Sequence, residues 1–314
     1  MATNLIIPQS ARNMFQAGME QVAQQLQSRF RAYATVRTGC TGKAQAHRKI
    51  QKDEMTDVTG RLQPTNAKEL YVTHRYVYPR KASLATVLDE DDAGDLDLQV
   101  APTGEISEQH RAAAFRKLDS IFLAGITGDN YEGAEDAMVT EAAGSLATVA
   151  YNFKADGTTA DSGLTIDKII AGKSKFGKAE VFGQEVIDAG GKLCMGVSQD
   201  ELDDLLFDAK QYVGSVDYNK VQALVNGEIN DFMGVHFIRS ERLSYTVAAN
   251  VATRACPMWV SSGVYLDFWY DVKTSIDVLP NQSQAVQVYS RIKVGAARKD
   301  LDRVVLVYCK QSGY

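Results

Sequence analysis

Several groupings in this 314-residue chain carry the residue types of a reactive or ligand-holding site, and each fails on spacing. Gly172-Lys173-Ser174 looks like the end of a loop whose backbone amides cradle phosphate. Asp167 stands where the first glycine of such a loop belongs, and the lysine falls inside a helical pattern. Asp89-Glu-Asp-Asp-Ala-Gly94-Asp95-Leu-Asp97 alternates acids around a sixth-position glycine, as calcium loops do. Ala93 at the fifth position and Val100 at the twelfth remove a ligand and the closing bidentate carboxylate, so the run reads as a solvated acidic turn. His47, His74, His110 and His236 fall in four separate elements without an HExxH pair, and Cys40, Cys194, Cys256 and Cys309 form no CxxC pair. His236, between Val235 and Phe237, reads as a satisfied core or interface histidine. Gly196-Val-Ser198-Gln-Asp200 lacks the second glycine of a nucleophile elbow, and the adjacent Asp203 and Asp204 splay around a helix instead of facing each other. No nucleophile, base and orienter come together in the sequence, and no cofactor or metal is expected. The enzyme alternative is a soluble α/β catalyst in the 166–260 lobe, with Asp203, Asp204, Asp208, Lys210 and His236 as its candidates.

The elements that would have to position any site say more. There are 34 Lys+Arg against 39 Asp+Glu, a net charge of −5, which argues against a surface given over to gripping nucleic acid. Hydrophobic residues make up 45% and charged residues 23%, which excludes disorder as a global description, and the length suggests two compact lobes plus extensions. The cysteines read as reduced thiols. The start, Met1 to Phe15, has no basic n-region followed by a long apolar stretch, and no run of 18 apolar residues occurs. Neither secretion by that route nor a membrane span is expected.

Phe15, Met19, Val22, Leu26, Phe30 and Tyr33 recur at steps of three and four, which predicts an amphipathic helix over 10–33 with Ser10 as its cap. The first 40 residues hold Arg12, Arg29, Arg31 and Arg37 against the single acid Glu20, a positive end on an acidic chain. Residues 39–70 are too polar to supply a core, whereas Tyr71 to Tyr78 has strand composition. With a partner near 45–52 it predicts a long two-stranded ribbon reaching away from the body, which something outside its own lobe must support. Residues 103–127 set Ile106, Phe115, Leu118, Ile121, Phe122 and Gly125 on one face of a long helix. Residues 129–163, rich in Gly, Ala, Thr and Asp, read as irregular or inserted. From Thr165 helix and strand alternate: Ile166, Ile169 and Ile170 open a helix, Leu193 to Val197 is a strand, Ser198-x-x-Glu201 is a capping box, and Phe232 to Ile238 is a buried strand. Val286 to Val294 alternates as a half-buried strand, and Val304 to Cys309 is apolar on both faces, an interior strand.

This order resembles the major capsid proteins of tailed bacteriophages, built on the HK97-type α+β fold. The resemblance is carried by Arg116-Lys-Leu-Asp119 with Ala124-Gly125, similar to the family's spine helix. Val225-Asn-Gly227-Glu-Ile229, Phe232 to Ile238 and Ser240 are similar to the turn into the central strand, and Gly295-Ala-Ala-Arg298 before Val304 to Cys309 to the closing phrase. It implies an N-terminal arm at 1–38, an extended E-loop with flanking strands at 39–98, and a P-domain with the spine helix and an insertion at 99–165. An A-domain at 166–260 and terminal strands returning to the P-domain at 261–314 complete it.

The resemblance further implies hexamers and pentamers closing an icosahedral shell around packaged double-stranded DNA, held by non-specific contact, with assembly in host cytoplasm and possible scaffolding, portal and decoration proteins. The sequence enters its arm helix almost at once, so a separate scaffolding protein is expected where scaffolding is used. Arg12, Arg29, Arg31 and Arg37 would face DNA phosphates or acids of adjacent subunits; Lys43, Arg48, Lys49 and Tyr76 would serve assembly. Lys43, Lys49 and Lys52 lie in the extension that in one branch forms isopeptide cross-links. Deleting residues 44–76 is expected to leave a folded lobe unable to form shells. A cellular encapsulin-like compartment shell is the other reading of the same fold.

Overall fold

The structure, a computed structural model, describes residues 25, 27–50, 52–55, 57, 60, 67, 69, 72–88, 105–134, 137–212, 230–248, 251–282 and 284–311. In chain order the first half holds β1 (Thr35–Thr38), β2 (Gln45–Ile50), β3 (Val72–Val77), β4 (Arg80–Leu88), α1 (Glu105–Thr127), β5 (Asn130–Ala134), β6 (Ala137–Glu141) and β7 (Ala147–Val149). The second half holds α2 (Ile166–Lys178), α3 (Gln184–Asp188), β8 (Leu193–Val197), α4 (Gln199–Tyr212), β9 (Asp231–Phe232), β10 (Val235–Arg239) and β11 (Tyr245–Ala248). The long strands β12 (Val251–Val260), β13 (Val264–Leu279), β14 (Ala285–Arg298) and β15 (Val304–Lys310) close it.

Three sheets organise these elements. The central one runs β7-β15-β12-β8-β10-β9, with β11 joined to β12, and β15 lies inside it as its two apolar faces require. Ile169 and Phe176 of α2, Leu202 and Leu205 of α4, and Phe122 of α1 join the apolar cluster that buries this sheet. The second sheet, β1-β13-β14-β4, is a long blade. On β14 the even positions Val288, Ser290, Ile292 and Val294 point inward while Arg291 stays exposed, the two-residue period expected there. Helix α1 lies on that inward face, so closely that a Cβ on Gly125 would come 2.5 Å from the Ala296 carbonyl oxygen. The third sheet, β2-β3-β5-β6, contains the expected ribbon pair, with Gln45 opposite Val77 and Ile50 opposite Val72.

The structure differs from the sequence reading in three places. Residues 130–134 and 137–141 form a hairpin that continues the ribbon sheet, and 147–149 pairs with β15, so much of the stretch read as irregular is strand. Phe232 to Ile238 is two strands around a tight turn, because Met233 (φ 53°) and Gly234 (φ 75°) both take the left-handed backbone that a two-residue hairpin turn demands. The helix expected over 10–33 lies mostly outside the described residues. Its predicted last turns are instead a bend and a single 3-10 turn at Arg31–Tyr33, since Phe30 leaves the helical period to enter the core between Phe122 and Trp259.

His110 of α1 sits under the blade between the Thr86 and Ser290 hydroxyls, at 2.8 and 3.0 Å, and burial holds its pKa below the ordinary histidine value. A depressed histidine keeps its stabilising neutral form above about pH 6.5 and loses stability as pH falls from there through the folded-state pKa. Melting temperature should therefore drop between pH 7.5 and 5.5. The drop should shrink in His110→Gln; an identical acid limb in wild type and variant would contradict this.

Candidate functional site

The part of the chain most expected to act outside its own body is the ribbon, so the geometry at its base decides where it points. Arg75, on the inward face of β3, is only 1% exposed. Its Nη1 and Nη2 donate to both oxygens of Glu141 at 2.9 Å, its Nη2 to Glu132 Oε2 at 2.8 Å, and its Nε to the Lys299 carbonyl at 3.3 Å. Arg298, fully buried at the end of β14, gives its Nε to Glu141 Oε2 at 3.0 Å and its Nη2 to the Glu141 carbonyl at 2.9 Å. Its Nη1 reaches the carbonyls of Ile126 and Gly128, which the end of α1 leaves unpaired. One carboxylate thus joins the ribbon, the long helix and the blade. Burial pushes the Arg298 guanidinium below its usual pKa, against the pull of Glu141.

Around this hub the base is tied three more times. Lys49 of β2 pairs with Asp300 at 2.5 Å and Glu132 at 3.3 Å; burial opposes its charge, but the two carboxylates more than offset that, and its pKa is raised. His47 Nε2 meets the fully buried Asp267 of β13 at 2.6 Å, while its ring stacks on Tyr265 at 3.8 Å. Lys52 donates to the Ala179 carbonyl at 3.2 Å. The base is therefore supported by other elements of its own chain, outside the ribbon itself. Tyr76 and Val77 belong to the core, so removing residues 44–76 would open the body as well as shorten the ribbon.

The other expected site residues fall in separate places. Arg31 pairs with Asp271 at 2.9 Å and lies over the Phe268 ring, and Arg29 donates to the Arg239 carbonyl at 2.6 Å, so both hold the incoming arm to the body. Asp119 of α1, fully buried, receives that arm by accepting from the Gln25 amide, from the Ser28 hydroxyl at 2.6 Å and from the Arg29 backbone at 3.3 Å. Arg37, Lys43 and Arg48 are exposed, and Arg12 lies outside the described residues. Sequence reading missed Arg75, Glu141, Arg298, Asp119 and Asp267 as positioning residues; a charged residue inside an apolar strand pattern, as Arg75 is, was the one signal available.

The chemistry-bearing groups stay apart. Lys173 lies in α2 and donates to the Met233 carbonyl at 2.6 Å, with Gly172 packed under Met258, which is helix and not a phosphate loop. Asp208 accepts from the Ile166 backbone at 2.9 Å at the start of α2, and burial raises its pKa. Asp203 accepts from Gln199 within α4, while His236 pairs with Asp231 at 2.7 Å across the β9–β10 hairpin, a satisfied histidine as expected. The side chain of Lys210 and the acidic run 89–97 lie outside the described residues. Ser198 donates its backbone N–H to Glu201 at 2.9 Å, the capping box read from the sequence. All four cysteines are free and buried, and burial pushes the Cys194 thiol up to about 12, so it is inert as a nucleophile. Among the described residues no group of three His, Cys, Asp or Glu side chains could hold a metal ion.

Comparison with known proteins brings these observations to one place. The family described as "Phage capsid protein" matches over residues 7–311. No curated protein sequence matches the chain. Among solved structures, the cyanophage Pam1 capsid superposes with a TM-score of 0.66 at 14% identity, covering 95% of each chain. A Mycobacterium phage Che8 chain gives 0.61 at 12% identity over 98% of each. The head of Helicobacter pylori bacteriophage KHP40 gives 0.63 at 11% identity, covering 99% of this chain and 98% of that one. Identities this low speak for the fold, and that fold is the α+β HK97-like capsid fold expected from the sequence.

Proposed function

The chain belongs to the phage capsid protein family, and from that premise we propose that its copies gather as hexamers and pentamers and close an icosahedral shell around double-stranded DNA. Its role is structural, that of a major capsid protein, and its place is the capsid of the virion. The observation that carries the reading further is the hub at the ribbon base. Buried charges cost several kcal/mol each to desolvate unless paired, and here two guanidiniums are committed to fixing the base of the strand pair 45–50 and 72–77. A ribbon aimed this firmly is an arm for reaching a neighbouring copy, and many such contacts around a ring add up through effective concentration.

Contact with DNA would be non-specific, through phosphates. Arg29 and Arg31 already serve the body, which leaves exposed Arg37, and Arg12, for phosphate or neighbouring acids. Scaffolding, portal and decoration proteins are partners the family reading adds. Lys43, exposed, is freer for an intersubunit contact than Lys49, which Asp300 and Glu132 hold. The test is nuclease treatment of particles recovered from the natural source. Double-stranded DNA should survive until the particles are disrupted by heat; particles whose cargo is protein would instead favour a cellular compartment.

A further inference from the structure

The blade has a second face, the one turned away from α1, and its charge is one-sided. Lys81 lies opposite Lys293 in the β4–β14 register, and Arg291 lies opposite Lys273 in the β13–β14 register, so the four cations share that face. Lys81, Lys273 and Arg291 are exposed. Lys273 and Arg291 both sit over the Tyr270 ring, at 5.3 and 5.4 Å, and Lys293 over the Trp269 ring at 5.4 Å. Among the described residues no carboxylate pairs with any of the four. In a chain of net charge −5, this is a cationic surface without counter-charge among the described residues and partly ordered by aromatic rings.

The counter-charge exists in the same sequence, in the segment that follows β4. Asp89, Glu90, Asp91, Asp92, Asp95 and Asp97 follow directly on Leu88, the last residue of β4, which pairs with Val286 near the blade's tip. Arg291 and Lys273 are level with Ser83, five residues back along the strand, and Lys81 and Lys293 are seven back, about 17 and 23 Å at the rise of an extended chain. The chain re-enters the described structure at Glu105 in α1, whose His110 bonds Thr86 from the opposite face of the blade. Both anchors of the acidic run therefore lie towards the blade tip, and the second is on the side away from the cations.

We propose that the cationic face of Lys81, Lys273, Arg291 and Lys293 is a docking surface for the acidic 89–97 run of a second copy of this chain. The patch and the point where the run leaves β4 are different parts of the blade, so a contact between copies is head-to-tail, the kind that can close into a ring. It rests on the reading of the chain as a shell subunit and names one of its contacts. Complementary charge of this sort selects the partner and speeds encounter more than it adds raw affinity.

The test is a charge swap in the full chain. Lys273→Glu/Arg291→Glu/Lys293→Glu should melt like wild type yet lose closed particles, and so should Asp91→Lys/Asp92→Lys/Asp95→Lys. Co-expressing the two variants should restore particles that contain both. Patch-reversed chains that assemble like wild type, or a defect that the acid-reversed chain does not relieve, overturn the proposal. If the triple reversal fails to fold, Lys273→Gln/Lys293→Gln should weaken assembly and raise its salt sensitivity, and unchanged assembly again overturns it. Shells that close normally but release DNA would assign the face to phosphates and overturn it too. A wild-type chain that forms no particles would instead defeat the shell reading itself, a separate result.

Discussion

Glu141→Ala is expected to lower the stability of the folded chain by about 3–5 kcal/mol in chemical denaturation, the cost of stranding buried charges without their partner. Arg75 would keep Glu132, but Arg298 would keep only carbonyl acceptors for a guanidinium that is fully buried. The loss should fall on the junction of the ribbon sheet, the end of α1 and the blade, so the ribbon should lose its direction before the central sheet melts. Replacing the pair by apolar residues, Glu141→Leu with Arg298→Met, should recover part of the loss. Recovery should be incomplete, because the carbonyls of Ile126 and Gly128 would then have no donor. A Glu141→Ala chain as stable as wild type would show that the hub is incidental.

Excising the ribbon's outer part should separate folding from assembly. Ile50 faces Val72 as a strand pair, so residues 53–70 can be exchanged for a short Gly-Ser turn while β2, β3 and their ties through His47, Lys49 and Arg75 remain. The variant should melt within a few degrees of wild type and form no shells. This cut replaces the broader deletion of 44–76, which would take Arg75 and Tyr76 out of the body. Normal particles from the excised chain would mean that the ribbon's reach is not what joins subunits.

How much of this was legible beforehand follows from how local each cause is. The alternation along 286–294, the double-sided apolar run at 304–309 and the Ser198–Glu201 cap are properties of consecutive residues, and the structure shows each of them. The end of the arm misled because its period of three and four is real. One residue, Phe30, is worth more inside the core beside Phe122 and Trp259 than on a helix face, and packing overrides propensity there. The hub was hidden by distance: Glu141 lies 66 residues from Arg75 and 157 from Arg298. Glu132 and Glu141 look like ordinary surface acids in a weak, glycine-rich stretch until β5 and β6 are seen to continue the ribbon sheet. Asp119 and Asp267 were obscure for the same reason, since their partners come from elements remote in sequence.

The central claim, that this chain acts by joining copies of itself into a closed shell, is tested most directly by electron microscopy of the purified full-length protein across a range of concentrations. Uniform closed particles, built from rings of six and five, are the predicted result. A single small molecule at every concentration and salt condition would contradict it.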